Sequence, residues 1–368
     1  MLANAILHPL SWRQLPTKIG RLANSTADTT RLFSSRVTAA DAAQCLMETF
    51  SNTSITRRQV LDANQLQKLS LTLGRRELGG NDISEIPPPE GTPIPPGWHL
   101  AYFTPGGLES KLGPDGTDRM CNAPEPFSRR MWAGGSMTWL AHAGCDSTNP
   151  ALRVGDEVEE RTQLLSATPK TSRNGDDMVL VDVEKRFSGP RGLSIIDQRS
   201  WIFRPKPAPA LSQPTRPQAK NDHQRSHITI VSSSGDDVSD TDDRPEGVPS
   251  WHLRWSPVGL FRFSALTFNA HMIHYNENWT TNVEGHPGEL VHGPLNLINI
   301  LNYWGDVHGK QALPQHITYR ALSPIYAGEL YEIKTTSVQN GEERKEWEIT
   351  AEKNGKICMK ANILGTVS

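Results

Sequence analysis

The chain has 368 residues, 36% of them hydrophobic and 21% charged, with a formal net charge of -2. At ~150 residues per domain that length allows two to three domains, and the near-neutral balance excludes a polyanion-binding field over the whole surface. No apolar run approaches the ~18 residues of a spanning helix, so stable membrane insertion is not expected.

Residues 1–36 carry Arg13, Lys18, Arg21, Arg31 and Arg36 against a single acid, Asp28. This arginine-bearing, acid-poor composition is that of a mitochondrial presequence, drawn towards a negative-inside membrane as a cationic amphipathic segment. Arg31-Leu32-Phe33-Ser34 has the form of a processing site. The expectation is a matrix protein whose fold begins at residue 37.

Residues 38–75 carry mixed helical periodicity, with Leu61, Leu66, Leu69 and Leu71 near helical spacing. The prolines between Pro87 and Pro96 impose extended loop. Residues 205–250 hold seven prolines and then the acidic serine run 232–243. Such a segment buries too little apolar surface to offset its ordering entropy, so a disordered linker is expected there. It divides the folded chain into halves, residues 37–204 and 251–368.

The halves resemble one another. In the second, His292-Gly293-Pro294 precedes an apolar run from Leu295 to Trp304 that should form a buried helix with Pro294 in its first turn. Strand-like runs follow at 316–325, 330–338, 346–353 and 356–364, with hairpin turns at Asn340-Gly341 and Asn354-Gly355. In the first, Gly134-Gly135 is expected to start a matching helix, followed by strands near 157–167, 178–187 and 193–203. The fold class is therefore α+β, a double hot dog, with two antiparallel sheets each wrapped around a central helix.

Four cysteines, Cys45, Cys121, Cys145 and Cys358, form no CxxC pair and read as reduced thiols. His271, His274, His286 and His292 cluster just before the buried helix. His271 and His274 could share a helix face, but no HExxH pattern and no nearby cysteine accompany them, so no metal is expected. Ser256 and Ser264 lack a nucleophile elbow, no phosphate-binding glycine loop is present, and no basic stripe is interleaved with aromatics, so no nucleic-acid partner is expected. What remains is acid–base chemistry without a cofactor. A histidine titrates near neutrality, and free N–H groups at the start of the Gly293 helix can hold a carbonyl oxygen that gains charge as an α-proton leaves.

The segments 263–276 (FSALTFNAHMIHYN) and 286–297 (HPGELVHGPLNL) resemble the MaoC-like (R)-specific hydratases and dehydratases. Within that superfamily the likeness is to hydroxyacyl-thioester dehydratase type 2, with mesaconyl-CoA hydratases as near relatives. Segments 98–116 and 129–137 of the first half agree with it. The family pattern is Asp, then Asn-Pro two residues on, then His five residues after the Asp. The resemblance thus implies His274 as the acid/base. Asn269 stands in the Asp position, so the usual carboxylate is missing, and His271 stands in the Asn position. It implies Asn269 and Gly293 as further catalytic residues and His271, Tyr275, His292 and Pro294 as substrate-binding residues. Arg129 and Arg130 are either phosphate contacts for the carrier arm or a solvated charged pair. The implied substrate is a 3-hydroxyacyl or trans-2-enoyl thioester of acyl carrier protein or coenzyme A, its acyl chain lying in an apolar groove between the two helices. A thioesterase with Glu289 as its carboxylate and a non-catalytic acyl-thioester-binding protein are the other readings. Both a monomer and a homodimer are allowed.

Overall fold

Asp62 and Ser256 each begin a helix by accepting a backbone N–H three residues on, 2.8 Å from Gln65 and 3.1 Å from Gly259. A third helix starts at a capping box in which Thr38 and Asp41 each accept a backbone N–H from the other. The computed structural model describes residues 37–104, 106–141, 148–172, 174–205, 225–231, 245, 247–309 and 312–367. The presequence expected over 1–36 and Cys145 lie outside the described residues.

The elements in chain order begin with α1 (Ala39–Phe50), β1 (Ser54–Val60), α2 (Ala63–Thr72) and a two-residue hairpin, β2 (Glu77–Leu78) and β3 (Asn81–Asp82). Then come β4 (Arg129–Trp139), β5 (Glu157–Thr171), β6 (Asp177–Gly189), β7 (Gly192–Arg204), β8 (His227–Val231) and β9 (Ser250–Arg254). Next are α3 (Pro257–Leu266), α4 (Glu277–Asn282) and α5 (Gly293–Val307). The last four strands are β10 (Ala312–Ala321), β11 (Leu330–Asn340), β12 (Arg344–Lys353) and β13 (Lys356–Val367).

Eleven strands form one antiparallel sheet in the order β1-β5-β6-β7-β4-β10-β13-β12-β11-β9-β8. The order reads the same outward from the β4–β10 seam: β4-β7-β6-β5-β1 on one side, β10-β13-β12-β11-β9 on the other. The internal repeat expected from the sequence is therefore present as two hot-dog units whose sheets meet edge to edge. The Asn354-Gly355 turn has the two positive φ angles, 50° and 72°, that a tight β12–β13 hairpin requires.

The central helix of the second unit is α5. Leu295, Leu297, Ile298, Ile300, Leu301, Tyr303 and Trp304 are all buried, so it is apolar on most sides because it is surrounded on most sides.

The first unit departs from expectation. The segment after Gly134-Gly135 is not a helix but part of β4. The two glycines are there because β4 is squeezed between β7 and β10; a Cβ at either would overlap a backbone carbonyl, that of Tyr319 or Gln198. The helix on this unit's face is α1, from before β1, whose Ala42, Ala43 and Leu46 cluster with Val179, Val181, Val183 and Phe203. Between β1 and β4 the chain has the ten-residue α2, whose buried Leu66 and Leu69 join the core cluster of α5, and the loops of 83–128.

Two further expectations change. The 38–75 stretch is not helical throughout, because the Ser54–Val60 run alternates in exposure as a strand should and pairs with β5. The linker expected over 205–250 contains β8, where the β-branched run His227–Val231 extends the sheet by pairing with β9. Residues 206–224 and 232–244 lie outside the described residues.

Candidate active site

The turn after α3 sets the position of the histidines. Thr267 Oγ1 donates back to the Phe263 carbonyl at 2.8 Å, Phe268 takes a left-handed φ of 48°, and Asn269 N donates to the Ser264 carbonyl at 2.9 Å. The reversed chain is then closed by Asn269 Oδ1, which accepts the N–H of His271 at 3.1 Å. A single 3-10 turn, Met272–His274, follows and turns His274 inward to 9% exposure.

His274 Nδ1 lies 2.9 Å from the Leu290 carbonyl oxygen. A carbonyl only accepts, so Nδ1 carries the proton and Nε2 is left with a lone pair. The ring stacks on that of His292, centroids 3.7 Å apart and planes 18° apart. His292 is fully buried, bonded through Nε2 to Ser264 Oγ at 2.8 Å, and edge-on to Phe263. It is also the N-cap residue of α5, and no side chain caps that helix. With Pro294 lacking an N–H and Asn296 N bonded to the His292 carbonyl, the backbone N–H groups of Gly293 and Leu295 are the uncapped donors of the first turn.

Burial holds His274 down at about 4, with His286 adding to the effect against the Leu290 hydrogen bond. Burial, then the neighbouring His274, also pushes His271 and His292 well below the usual imidazole range. All three rings are neutral at neutral pH.

A cavity of about 550 Å³ opens here between the two units. His274, Asn269, His271, Gly293 and Pro294 line it from the second unit. Trp132 faces them from β4, and a Cβ on Gly293 would meet it at 3.4 Å, an ordinary contact. Two of the expected substrate-binding residues are not in the lining. His292 lies behind His274 as its support. Tyr275 is 40% exposed and donates its hydroxyl to the Ala270 carbonyl at 3.0 Å, so it belongs to the outer face of the turn. Glu289, which the thioesterase reading needs, is buried outside the lining.

The first unit's wall is mixed: apolar side chains such as Leu100, Phe103, Trp132 and Phe187 make up most of it, in line with the expected apolar groove, and charged side chains are set among them. Arg129, Arg130, Glu160, Lys185 and Arg199 line it. Arg129 is bonded to Glu284 at 3.0 Å and His286 at 2.8 Å, and Arg130 to Asp118 at 2.6 Å while lying over Trp201. They are a paired, half-buried wall and not a solvated pair. Deeper in, Lys185 Nζ donates to Glu160 Oε1 at 2.7 Å, and Arg199 bonds Asp197 at 2.6 Å. Burial would raise Asp197, but Arg199 and His99 outweigh it and hold it at about 2.

Sequence reading missed Asp115, whose carboxylate reaches to 3.7 Å from His271 Nε2. It also missed the role of Ser264 as the hydrogen-bond partner of His292, and the Glu160–Lys185 pair. The pair had a signal: Val158, Glu160, Thr162 and Leu164 share one strand face, as do Val181, Val183, Lys185 and Phe187, so each charge interrupts an apolar register. Asp115-Gly116 signals only a turn.

The family model described as hydroxyacyl-thioester dehydratase type 2 matches residues 97–235 and 232–327. The mesaconyl-C(4)-CoA hydratase of Chloroflexus aurantiacus is 30% identical over 239 residues, which are 61% of this chain and 73% of that protein. The mitochondrial hydroxyacyl-thioester dehydratase type 2 of Schizosaccharomyces pombe is 23% identical over 255 residues, 65% of this chain and 76% of that protein. Among solved structures, a MaoC-like dehydratase from Phytophthora capsici superposes with a TM-score of 0.54 at 12% identity, over 88% of this chain and 99% of that one. A double-hotdog protein of Mycobacterium tuberculosis superposes with a TM-score of 0.50 at 12% identity, over 87% and 97%. These two share the fold.

Proposed function

Because the chain belongs to the hydroxyacyl-thioester dehydratase type 2 family, and is an enzyme of the hydro-lyase class, we propose that it interconverts a (3R)-hydroxyacyl thioester and a trans-2-enoyl thioester, with His274 as the acid/base. The acyl group arrives on acyl carrier protein or coenzyme A. The thioester carbonyl accepts N–H groups from the start of α5, at Gly293 and Leu295. His274 Nε2 takes the C2 proton, and the charge that develops on the thioester oxygen is held by those donors and the positive end of the helix. The imidazolium returns the proton to the C3 oxygen as the C3–O bond breaks, and water leaves. A placed base contributes about 10²–10⁴ in rate, and an oxyanion donor about 10²–10³.

The observation that carries this reading is the commitment of His274 Nδ1 to Leu290, which leaves a neutral Nε2 beside the uncapped helix start. Hydration of crotonyl-CoA tests it: the full chain should turn over, and His274→Ala should lose at least about 10²-fold with an unchanged circular dichroism spectrum. An H274A protein as active as the wild type would sink the assignment.

A second reading is favoured by one observation, the three charged side chains Glu160, Lys185 and Arg199 set in an otherwise mostly apolar lining. These groups, paired as they are, give a short, polar acyl group, as on the mesaconyl-CoA that names the Chloroflexus relative, polar neighbours that a long fatty acyl chain would not use. A mitochondrial location, and with it a place in fatty acid synthesis there, is supported instead by the arginine-bearing residues 1–36 and by the word mitochondrial in the name of the fission-yeast relative. Comparing kcat/KM for short dicarboxylic and longer fatty acyl thioesters separates the two. Import of a reporter fused behind residues 1–36 tests the matrix location.

A further inference from the structure

At position 269, where the family pattern has a carboxylate, this chain has an asparagine, which cannot act as a base and whose Oδ1 accepts the His271 N–H within its own turn. A carboxylate nevertheless reaches the site from the other unit. We propose that Asp115 and His271 form a second working pair, in which His271 holds the C3 hydroxyl (the attacking water in the reverse direction) and Asp115 is a positioning residue that fixes the imidazole tautomer. This rests on the lyase reading above.

The loop that carries Asp115 is locked to the histidine turn. Its backbone carbonyl accepts the Met272 N–H at 2.8 Å. Gly116 has φ of 81°, and a Cβ there would overlap the Ala270 carbonyl, so only glycine lets the two loops approach this closely. Asp115 Oδ1 is occupied, accepting from Thr117 N at 3.0 Å and Thr117 Oγ1 at 2.7 Å. Oδ2 faces His271 Nε2 at 3.7 Å, a separation of the kind that tightens when substrate fills a site.

The groups around His271 are His274, set edge-on at 5.5 Å between ring centroids, then Arg129, Arg130 and His286, with Asp115 opposite. The two arginines are engaged by Glu284 and Asp118. Burial and these neighbours keep the ring neutral. A neutral ring whose Nε2–H points at a carboxylate carries its lone pair on Nδ1. That atom accepts the O–H of the C3 hydroxyl and leaves the hydroxyl oxygen's own lone pairs free for the proton returned by His274. His271 gains and loses no proton over the cycle. The C2 proton travels through His274 alone, and the products are water and the enoyl thioester.

Asp115→Asn is the informative variant. It keeps the Oδ1 acceptor for Thr117, but its amide donates to Nε2 and moves the ring proton to Nδ1, turning an acceptor into a donor. We expect kcat for crotonyl-CoA hydration to fall about 10- to 100-fold, with KM and the melting temperature little changed. His271→Ala should lose a similar factor, and the double variant should be no worse than His271→Ala alone. His271→Asn, whose side-chain oxygen can also accept the hydroxyl, should recover part of the rate and be insensitive to Asp115→Asn. Nitrogen-15 NMR of labelled histidines reads the tautomer without turnover: His271 should be the Nε2–H form in the wild type and shift towards Nδ1–H in D115N. An unshifted tautomer, an Nδ1–H form in the wild type, or losses that multiply in the double variant overturn the pair. The tautomer shift between the wild type and D115N, found with a wild type that shows no turnover, would overturn the lyase reading and leave the Asp115–His271 contact standing.

Discussion

His292 lies face to face with His274, 3.7 Å between ring centroids, and is itself tied to Ser264 on α3 by a 2.8 Å hydrogen bond. The base of the site therefore rests on a ring that belongs to the helix start and is anchored by a different helix. Ser264→Ala removes that anchor and leaves a buried imidazole nitrogen unpartnered, costing about 1–3 kcal/mol. His292→Ala additionally opens a void beside His274. Both should lower kcat more than they raise KM, and H292A should do so more strongly. Urea denaturation and steady-state kinetics check this. A His292→Ala enzyme with wild-type kcat would show that the stack is incidental.

Much of this arrangement was legible in the chain, and the limits have physical causes. α5 announced itself through an apolar run too continuous for a surface helix, and the Asn354-Gly355 turn through its chemistry. The histidine cluster before Gly293 was visible as composition. Gly134-Gly135 misled because a glycine pair before an apolar stretch suits a helix start as well as a crowded strand. Only the neighbouring strands, far away in sequence, decide between them. Asp115 was invisible for the same reason: its partner is more than 150 residues away in the sequence, and nothing local to an Asp-Gly turn says which carboxylate face is left free.

Stability should fall on acidification well before the carboxylates titrate. Burial holds His274, His286 and His308 each at about 4 in the folded protein, while an unfolded histidine titrates near ~6.5. Below about pH 6.5 the unfolded chain takes up protons that the folded chain does not accept. The stability contributed by these rings is thus complete above about pH 6.5 and is lost as pH falls through about 4. Urea midpoints between about pH 7.5 and 4.5 should drop, and His274→Gln should flatten the slope. The acid limb of kcat/KM should likewise sit near the His274 value of about 4. An acid limb at about 6.5, where a free imidazole titrates, would mean that the base is some other, exposed histidine.

Two glycine substitutions should act in opposite directions. Gly135→Ala would drive a Cβ into the Gln198 carbonyl and against the Tyr319 hydroxyl, 2.8 Å away. It should destabilise the pairing of β4 with β7 and β10 by about 1–3 kcal/mol, and activity should fall with it because Trp132 of β4 forms one wall of the cavity. Gly305→Ala on α5 meets nothing within 4 Å and should stabilise by about 0.4–1 kcal/mol. Thermal melts of the two variants decide the matter, and a tolerated G135A would mean that β4 can shift between its neighbours without cost.

The pair of Glu160 and Lys185 makes the sharpest demand on the wall opposite the histidines. Both are almost fully buried, at 1% and 3% exposure, and Thr162 Oγ1 completes the network by donating to Glu160 Oε1 at 2.6 Å. Lys185→Met leaves the buried Glu160 carboxylate with Thr162 and the more distant Arg57, 3.8 Å away, and should cost up to about 3–5 kcal/mol. Lys185→Met with Glu160→Leu removes both charges and should regain most of that stability, since an apolar replacement of a buried pair is often neutral or better. The same double variant removes two of the five charged side chains, Arg129, Arg130, Glu160, Lys185 and Arg199, that line this wall. It should raise kcat/KM for enoyl thioesters of eight to ten carbons relative to four-carbon ones, and relative to acyl groups ending in a carboxylate. Measured on one enzyme preparation against that substrate series, an unchanged preference would mean that the acyl group never reaches this wall and that chain length is set elsewhere in the cavity.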